Sequence, residues 1–566
     1  MRCLFVCIHI EESSRAIPLG VASIAANMRK ELPSEVEITL LDCYSEQSPQ
    51  EMVDAVITHD PDYLGLSIYL WNREQSLKIA EEVRKRLPSC RIIVGGPEPT
   101  ARGDFYRSLP SIDEVIIGEG EQQILSIFDK NIAMKPSAHP DLSTLPSPYL
   151  DGTISLDDYS GVLWELSRGC PFKCAFCFES RGDTTLRRFS LERVKKELEL
   201  FVEKDVREIF ILDPTFNYNL PSAKELVRLL IKKAPSIHYM MEIRAEFIDE
   251  ELSDLLSQID CALQIGLQSI HQEVLGNINR RFNSQQFTDN VYLLHENHVP
   301  YGFDLIYGLP GDTLSGFYES LDYTMGLIPN HLDIFPLAIL PGTVLFDTAE
   351  SFGISYDMDN SWLVRSTPTF STDDMAQATD LVRKVDLFYN QGKAVTWFDI
   401  ILQTTGITPS EFFLTAPDPT DEMSAIDYQK MVITSVFNAL EISHLETLAI
   451  DLITYFWEEN NRNFDLNSIE SPDTIINPSI NTNAYTYDPL VIIDLCEQGV
   501  MNLHDIHGLV EEEPVILITY ITGEGPAIYY ADKQKVEIIE KLRSGSETSR
   551  YDNGLIEELR SVGIIL

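Results

Sequence analysis

Three cysteines fall within eight residues, Cys170, Cys174 and Cys177, in the run Leu-Ser-Arg-Gly-Cys-Pro-Phe-Lys-Cys-Ala-Phe-Cys-Phe over 166–178. Thiolates spaced this closely on one loop can hold three irons of a 4Fe-4S cluster. The fourth iron then has no protein ligand and is open to a substrate or cofactor. Zinc usually takes four protein ligands in two separated pairs, and the sequence offers no second pair. Incidental buried cysteines and a zinc loop are the alternatives at this point. The other six cysteines are scattered, and an odd total of nine is not a disulfide framework. A second group of residues carries no reactive side chains: Gly65-Leu-Ser67, Gly95-Gly-Pro97 and Gly118-Glu-Gly-Glu121. Glycines in such loops let backbone approach a large flat or threaded group.

The elements around these residues alternate. Strands are expected at Arg2–Ile8, Val36–Leu41, Tyr63–Tyr69, Arg91–Val94 and Glu114–Ile117, with helical segments between them. This pattern predicts a doubly wound, flavodoxin-like parallel sheet over 1–130, with the three glycine loops at the carboxyl ends of strands, where open α/β sheets bind ligands. No Gly-x-Gly-x-x-Gly follows the first strand, so a dinucleotide site is weakly supported. A Pro- and Ser-rich linker is expected over 131–160. A second alternation follows, with strands at Gly161–Leu166, Glu208–Leu212, His238–Glu242, Ala262–Gly266, Phe303–Tyr307 and Leu332–Pro336. It predicts a partial (β/α)6 barrel of the TIM type over 161–370, with its chemistry at the carboxyl ends of the strands. Residues 371–566 read as a mostly helical domain with helices near 374–400 and 421–460, a polar stretch from Asn461 to Asn483, and a small β-hairpin, Val515–Ile521 with Ala527–Tyr530.

Arg168-Gly-Cys-x3-Cys-x2-Cys177, within this barrel pattern, resembles the signature of the radical S-adenosylmethionine (SAM) superfamily. The aromatic Phe176 between the last two cysteines fits the resemblance. So do Asp213-Pro-Thr-Phe-Asn217, Glu242-Ile-Arg244, Ile265-Gly-Leu-Gln-Ser269 and Asp304-Leu-Ile-Tyr-Gly-Leu-Pro-Gly-Asp-Thr313. The resemblance implies that Cys170, Cys174 and Cys177 hold the cluster and that its open iron chelates SAM. It also implies that the reduced cluster splits SAM to methionine and a 5'-deoxyadenosyl radical. By the same resemblance, Asp213, Glu242, Arg244, Gln268, Ser269 and Ile306 are SAM contacts. A structural salt-bridge role for Asp213, Glu242 or Arg244 is the competing reading. Gln268 stands where the family usually has Glu, so its role departs from the pattern.

The first domain resembles the cobalamin (B12)-binding domain found ahead of many radical SAM cores. That resemblance implies that Ser67, Gly95, Gly96, Gly118 and Gly120 line the cofactor, with the nucleotide tail threaded beside the sheet. The linker segment Leu142-x-x-Leu-Pro-x-Pro-Tyr149 also matches. The Asp-x-His-x-x-Gly motif that supplies a lower axial histidine in other cobalamin enzymes is absent. His9 lies near the corresponding loop without the flanking Asp and Gly. Base-off cobalamin with no conventional histidine below the cobalt is therefore expected, the axial ligand being a main protein lever on the cofactor.

Acidic residues outnumber basic ones 88 to 43, for a net charge of -45. A chain this acidic repels phosphate backbones and anionic lipid surfaces, so nucleic-acid binding is not expected. Residues 371–566 carry 33 acidic and 11 basic residues, about half of the excess, and read as a solubilising surface. No apolar run reaches the roughly 20 residues of a bilayer span, and Met1–Ile8 already reads as a strand, so a cytoplasmic location is expected. The hairpin and closing helices read either as ordinary core or as a unit resembling winged-helix or peptide-recognition modules. His504 and His507 have metal-like spacing without evident companions. The combined resemblance implies a cobalamin-dependent radical SAM methyltransferase acting on an unactivated carbon, in an anaerobic site supplied by a flavodoxin- or ferredoxin-type electron donor. Substrate selectivity is expected in the last third, for a small molecule or a peptide. Ring formation or rearrangement without methylation, and a non-catalytic cobalamin or redox sensor, are the alternatives.

Overall fold

The computed structural model describes the chain except residues 14–15, 33–34, 129–138, 180–183, 359–360, 461–475, 478, 523–524, 545–551 and 566. The first eight residues of the expected linker, most of the expected polar stretch and the tip of the hairpin turn lie outside the described residues. Two compact units emerge: Met1–Ser320 with Asp333–Met375, and Leu321–Leu332 with Ala376–Leu566.

The first unit contains two parallel sheets. In the first, β1 (Arg2–His9), β2 (Glu37–Tyr44), β3 (Tyr63–Ser67), β4 (Arg91–Gly95) and β5 (Glu114–Val115) run in the order β2-β1-β3-β4-β5. This is the flavodoxin-like order, whose switch point lies between β1 and β3. Both faces are covered. Leu4, Val6 and Ile8 pack with Val53 and Val56 of helix Pro49–His59 and with Ile79 and Val83 of helix Arg73–Arg86. The alternate residues Cys3 and Phe5 pack with Val21 and Ala25 of helix Leu19–Glu31 and with Ile124 of helix Gly120–Phe128. Two buried faces explain why β1 is apolar throughout rather than alternating.

The second sheet takes β6 (Gly161–Trp164), then, beyond the antiparallel pair β7 (Ser167–Arg168) and β8 (Arg187–Arg188), β9 (Glu208–Ile211), β10 (His238–Ile243), β11 (Cys261–Gln268), β12 (Tyr301–Tyr307) and β13 (His331–Pro336). The six long strands lie side by side in sequence order, β6-β9-β10-β11-β12-β13, the arrangement of an open partial barrel. On β11, Leu263, Ile265 and Leu267 are buried, while Gln264 and Gly266 sit on the less covered face. Linker residues anchor here: Ser147 Oγ and Trp164 Nε1 both donate to the buried Glu197 carboxylate, and Tyr149 donates to the Leu163 carbonyl. A small pair, β14 (Ser355–Tyr356) and β15 (Val364–Ser366), completes the unit.

The second unit is mostly helical, as expected, with a break in place of one long helix over 374–400. The α-helix Thr372–Val385 gives way to a π-helical segment Asp386–Gln391, and a new helix begins at Phe398. The buried Gln429 amide donates to the carbonyls of Phe388 and Gly392, satisfying groups the break releases. Phe388 then packs edge-on against Trp397, Phe398, Phe412, Phe413 and Tyr428. The hairpin gains a third strand. β16 (Asn481–Tyr485) pairs with β17 (Val515–Thr522), which pairs with β18 (Gly525–Ala531). Its Asn- and Thr-rich sequence hides this strand because it lies at an edge with only Tyr485 fully buried. Among the described residues, no helix is long and apolar enough to cross a membrane.

Candidate cofactor edges of the two parallel sheets

Cys170 and Cys174 are buried and Cys177 half-buried on the loop that leaves β7 through Gly169, whose φ of +88° a side chain would resist. The loop is pinned from two sides. Ala175 N donates to the Ile278 carbonyl at 2.9 Å, Asn279 Nδ2 to the Lys173 carbonyl at 2.7 Å, and Leu345 N to the Ala175 carbonyl at 2.8 Å. Two guanidiniums face the thiols. Arg280 Nη1 donates to Cys174 Sγ at 3.7 Å while its Nη2 holds the Gly266 carbonyl. The Arg244 guanidinium carbon sits over the Phe172 ring, 3.8 Å from its centroid. Its backbone is fixed by Asn217, which accepts from Arg244 N at 3.0 Å and donates to Arg244 O at 2.8 Å. Burial, with Arg280 nearby, lowers the pKa of Arg244, and the Cys170 and Cys174 thiols work in the opposite direction. Burial likewise raises the Cys170 thiol above its ordinary value. Three thiols on one rigid loop beside two cations suit an anionic metal–sulfur group.

The open face of the second sheet is rich in carboxylates. Glu242 stands in register with Gln264, and Gly266 with Asp304. Gln264 Nε2 bridges Asp304 at 2.6 Å and Asp333 at 3.1 Å. Glu242 opens to solvent within this concavity, yet protein crowds it on its other sides. That desolvation, with Asp304 and Glu179 nearby, pushes its carboxyl up to about 7. A β-bulge at Gly266–Gln268 aims the next residue. Gln268 takes φ +74°, rare for a residue with a side chain, and its buried Oε1 has no hydrogen-bond partner. Its amide folds back over Gly266, where an added Cβ would meet Nε2 at 2.7 Å. A strained backbone holding an unsatisfied buried acceptor suits a donor brought by a ligand.

The remaining expected SAM contacts divide. Ile306 is half-buried on the same strand face as Asp304, and Phe176 is half-buried in the cysteine loop. Asp213 turns inward: it accepts from Leu166 N at 3.2 Å, and its burial raises its pKa. Ser269 is fully buried and accepts from His271 N, so it shapes a turn.

At the first sheet, Ser67 and Gly95 end β3 and β4 in register. Gly96 has φ +105°, and a Cβ there would sit 2.7 Å from the Ile68 carbonyl oxygen. Gly118, φ +80°, would meet nothing within 4 Å, so the chain passes beside open space. Gly120 is buried at the start of its helix, packed on Ile24. Two aromatics that the sequence analysis did not single out complete this edge. Trp71 is 51% exposed, stacks on Tyr69 at 4.4 Å and donates from Nε1 to the Ile8 carbonyl. An exposed tryptophan stacked on a half-buried tyrosine beside glycine loops fits a large flat ligand. His9 gives Nε2 to Asp42 Oδ1 at 2.7 Å, and with Cys7 these place three metal-ligating atoms within 4.8 Å of one another.

The two edges are tied together. The Arg168 guanidinium reaches Glu165 from Nε at 2.8 Å, Glu119 from Nη1 at 2.8 Å and Glu121 from Nη2 at 2.7 Å. Glu119 also accepts from Arg187 and from His139. The sequence signal was present in Gly118-Glu-Gly-Glu121 and in the arginine two residues before Cys170, but spacing alone does not pair segments about fifty residues apart.

The family profile for the B12 binding domain matches residues 9–127, and that for the radical SAM superfamily matches residues 164–324. The chain is 28% identical over 390 residues to a cobalamin-dependent radical SAM methyltransferase, TokK, of Streptomyces tokunonensis, covering 60% of this chain and 55% of the relative. It is 29% identical over 404 residues to a 2-(S-pantetheinyl)-carbapenam-3-carboxylate methyltransferase of Streptantibioticus cattleyicolor, covering 61% and 57%. The chain thus spans little more than half the length of these relatives. Among solved structures, the cobalamin-dependent SAM radical enzyme OxsB, with aqua-cobalamin and SAM bound, aligns at TM-score 0.57 and 14% identity over 82% of this chain and 84% of that one. The radical SAM methyltransferase TsrM of Kitasatospora setae, with cobalamin and a 4Fe-4S cluster bound, aligns at TM-score 0.50 and 17% identity over 64% and 81%. The chain thus carries a match to the B12 binding domain ahead of a match to the radical SAM superfamily, and it shares its fold with these two enzymes.

Proposed function

We propose that the chain is a cobalamin-dependent radical SAM methyltransferase that methylates an unactivated carbon. The observation that carries the reading is the pairing, within one compact unit, of a cation-flanked three-cysteine loop with a glycine edge of matching α/β topology. Cys170, Cys174 and Cys177 would hold the cluster, and Ser67, Gly95, Gly96, Gly118 and Gly120 would line the cobalamin. When bound, the reduced cluster supplies a 5'-deoxyadenosyl radical from SAM, and cobalamin supplies the methyl group that a carbon without a lone pair cannot take from SAM directly.

The chain's own groups support that chemistry. Arg244 and Arg280 lower the cost of negative charge on the thiols. The unpartnered Gln268 Oε1 would accept a hydrogen bond from SAM. The Glu242 carboxyl, pushed up to about 7 by burial with Asp304 and Glu179 nearby, could take up or give a proton near neutral pH. The missing Asp-x-His-x-x-Gly motif supports base-off cobalamin with no conventional histidine below the cobalt, and the Trp71–Tyr69 stack would offer the cofactor flat aromatic area. A flavodoxin- or ferredoxin-type protein delivers the electron.

Protein purified anaerobically from cobalamin-fed cells is expected to carry cobalt and iron at about one to four, the ratio for one cobalamin beside one 4Fe-4S cluster. Product heavier than substrate by one CH2 supports methylation. Unchanged mass with ring closure moves the assignment to radical rearrangement. Failure to release 5'-deoxyadenosine from SAM sinks both enzymatic readings and leaves a sensor.

A further inference from the structure

We propose that Arg168 is a positioning residue that fixes the separation between the two cofactors, by clamping the glycine loop of the first sheet to the cysteine loop of the second. The inference rests on the cofactor assignment above and concerns what holds the two sites in register.

The geometry is specific. Arg168 lies two residues before Cys170, separated from it only by Gly169. All three guanidinium nitrogens are used, on three different carboxylates. Glu165 follows the end of β6. Glu119 and Glu121 alternate with Gly118 and Gly120 where the loop after β5 enters helix Gly120–Phe128, so the clamp grips the very segment whose backbone would face the cobalamin. The loop has its own anchors: Gly118 N donates to Thr100 Oγ1 at 2.9 Å, and the Glu121 carbonyl accepts from Asn27 at 2.7 Å. Side-chain exposure is 14% for Arg168 and 5% for Glu121. Burial works against the Arg168 charge, but Glu121 and Glu165 outweigh it and hold the guanidinium well above its ordinary pKa. Burial likewise opposes the Glu119 charge, and Arg187 and Arg168 overcome it.

A planar fork spanning three acceptors fixes angles as well as distance, which an ammonium cannot do. Buried ion networks of this kind add little net stability but specify one arrangement. Reactive centres depend on such placement, since an error of about 1 Å can cost roughly 100-fold in rate.

The test uses the full chain, loaded anaerobically with hydroxocobalamin and reconstituted with iron and sulfide. Cobalt and iron are first counted. Both centres are then reduced to their paramagnetic states, cob(II)alamin and the singly reduced cluster, and pulsed dipolar EPR reads the distance between them. Wild type is expected to give one narrow distribution. Arg168→Lys keeps the charge and loses the fork, and is expected to widen or shift that distribution at full cofactor occupancy. Glu121→Gln, a milder change that removes one carboxylate, should move it in the same sense. If Arg168→Lys folds poorly, the Glu121→Gln result decides. Distributions that match wild type in a loaded variant overturn the positioning role while leaving the cofactor assignment intact. Wild-type protein with iron and no cobalt overturns both, and the metal count separates the two failures.

Discussion

At the carboxyl edge of the first sheet the chain presents Gly95, Gly96 and Gly118 beside the Trp71–Tyr69 stack; at that of the second it presents Glu242, Arg244, Gln268 and Arg280 around three thiols. Both edges obey the same topological rule, with parallel strands delivering loops to one end. They differ in what the loops carry. The first is shaped by absent side chains and aromatic area, and suits recognition by close backbone approach. The second is crowded with charge and an unsatisfied amide, and suits ligands that bring metal, charge and donors. One fold principle thus yields a shape-reading site and an electrostatic site within a single unit.

The sharpest way to separate the edges is to empty one and measure the other. Cys174→Ala leaves two thiols on the loop, too few for a site-differentiated cluster. We expect complete loss of cluster iron and of SAM cleavage, measured by iron analysis and 5'-deoxyadenosine release, with cobalamin still bound at the first edge. Retained SAM cleavage would falsify the cluster assignment. Loss of both cofactors would show that the edges are not separable.

The converse change acts on shape alone. Gly96→Ala combines a φ of +105° with a Cβ 2.7 Å from the Ile68 carbonyl oxygen. The strain and the shift it forces cost about 1–3 kcal/mol. Gly118→Ala, at φ +80° in open space, pays mainly the left-handed penalty, about 1 kcal/mol. Titration with hydroxocobalamin, followed by absorbance, should show Gly96→Ala binding more weakly than Gly118→Ala. Iron content should equal wild type in both. If Gly118→Ala is the weaker binder, the ligand occupies that open space and the order of the two loops must be reversed.

How far these edges were legible follows from their materials. The cysteine spacing and the glycine doublets are local, so sequence alone locates them, and all eleven expected strands of the two parallel sheets are present. The Arg168 clamp, the two-guanidinium flank and the Trp71 platform depend on segments far apart in sequence, and no local pattern joins Arg280 to Cys174. Asp213 likewise needs the fold: its position resembles a ligand contact, and only the structure shows that its carboxylate also accepts from the Leu166 amide. In the second unit, the break at Asp386–Gln391 was hidden because helical periodicity continues through it, and only the buried Gln429 reveals why a break is tolerated.

The smallest expected effect tests whether the second edge is electrostatic in the free protein too. The Glu242 carboxyl titrates near 7 in the folded chain against an ordinary 4.5, so the folded state binds more protons between those values. Stability on this account falls as pH rises from about 4.5 to about 7, and the penalty is full above that. Glu242→Gln removes the charge and so removes the penalty. Because the group opens to solvent, screening cuts the gain well below the full shift, to about 1 kcal/mol at most. Iron-loaded Glu242→Gln is therefore expected to melt up to about 2 °C above wild type at pH 8, and level with it near pH 4.5. An offset of the same size at both pH values would assign the effect to packing, and the contrast with the glycine edge would then rest on the thiols and guanidiniums alone.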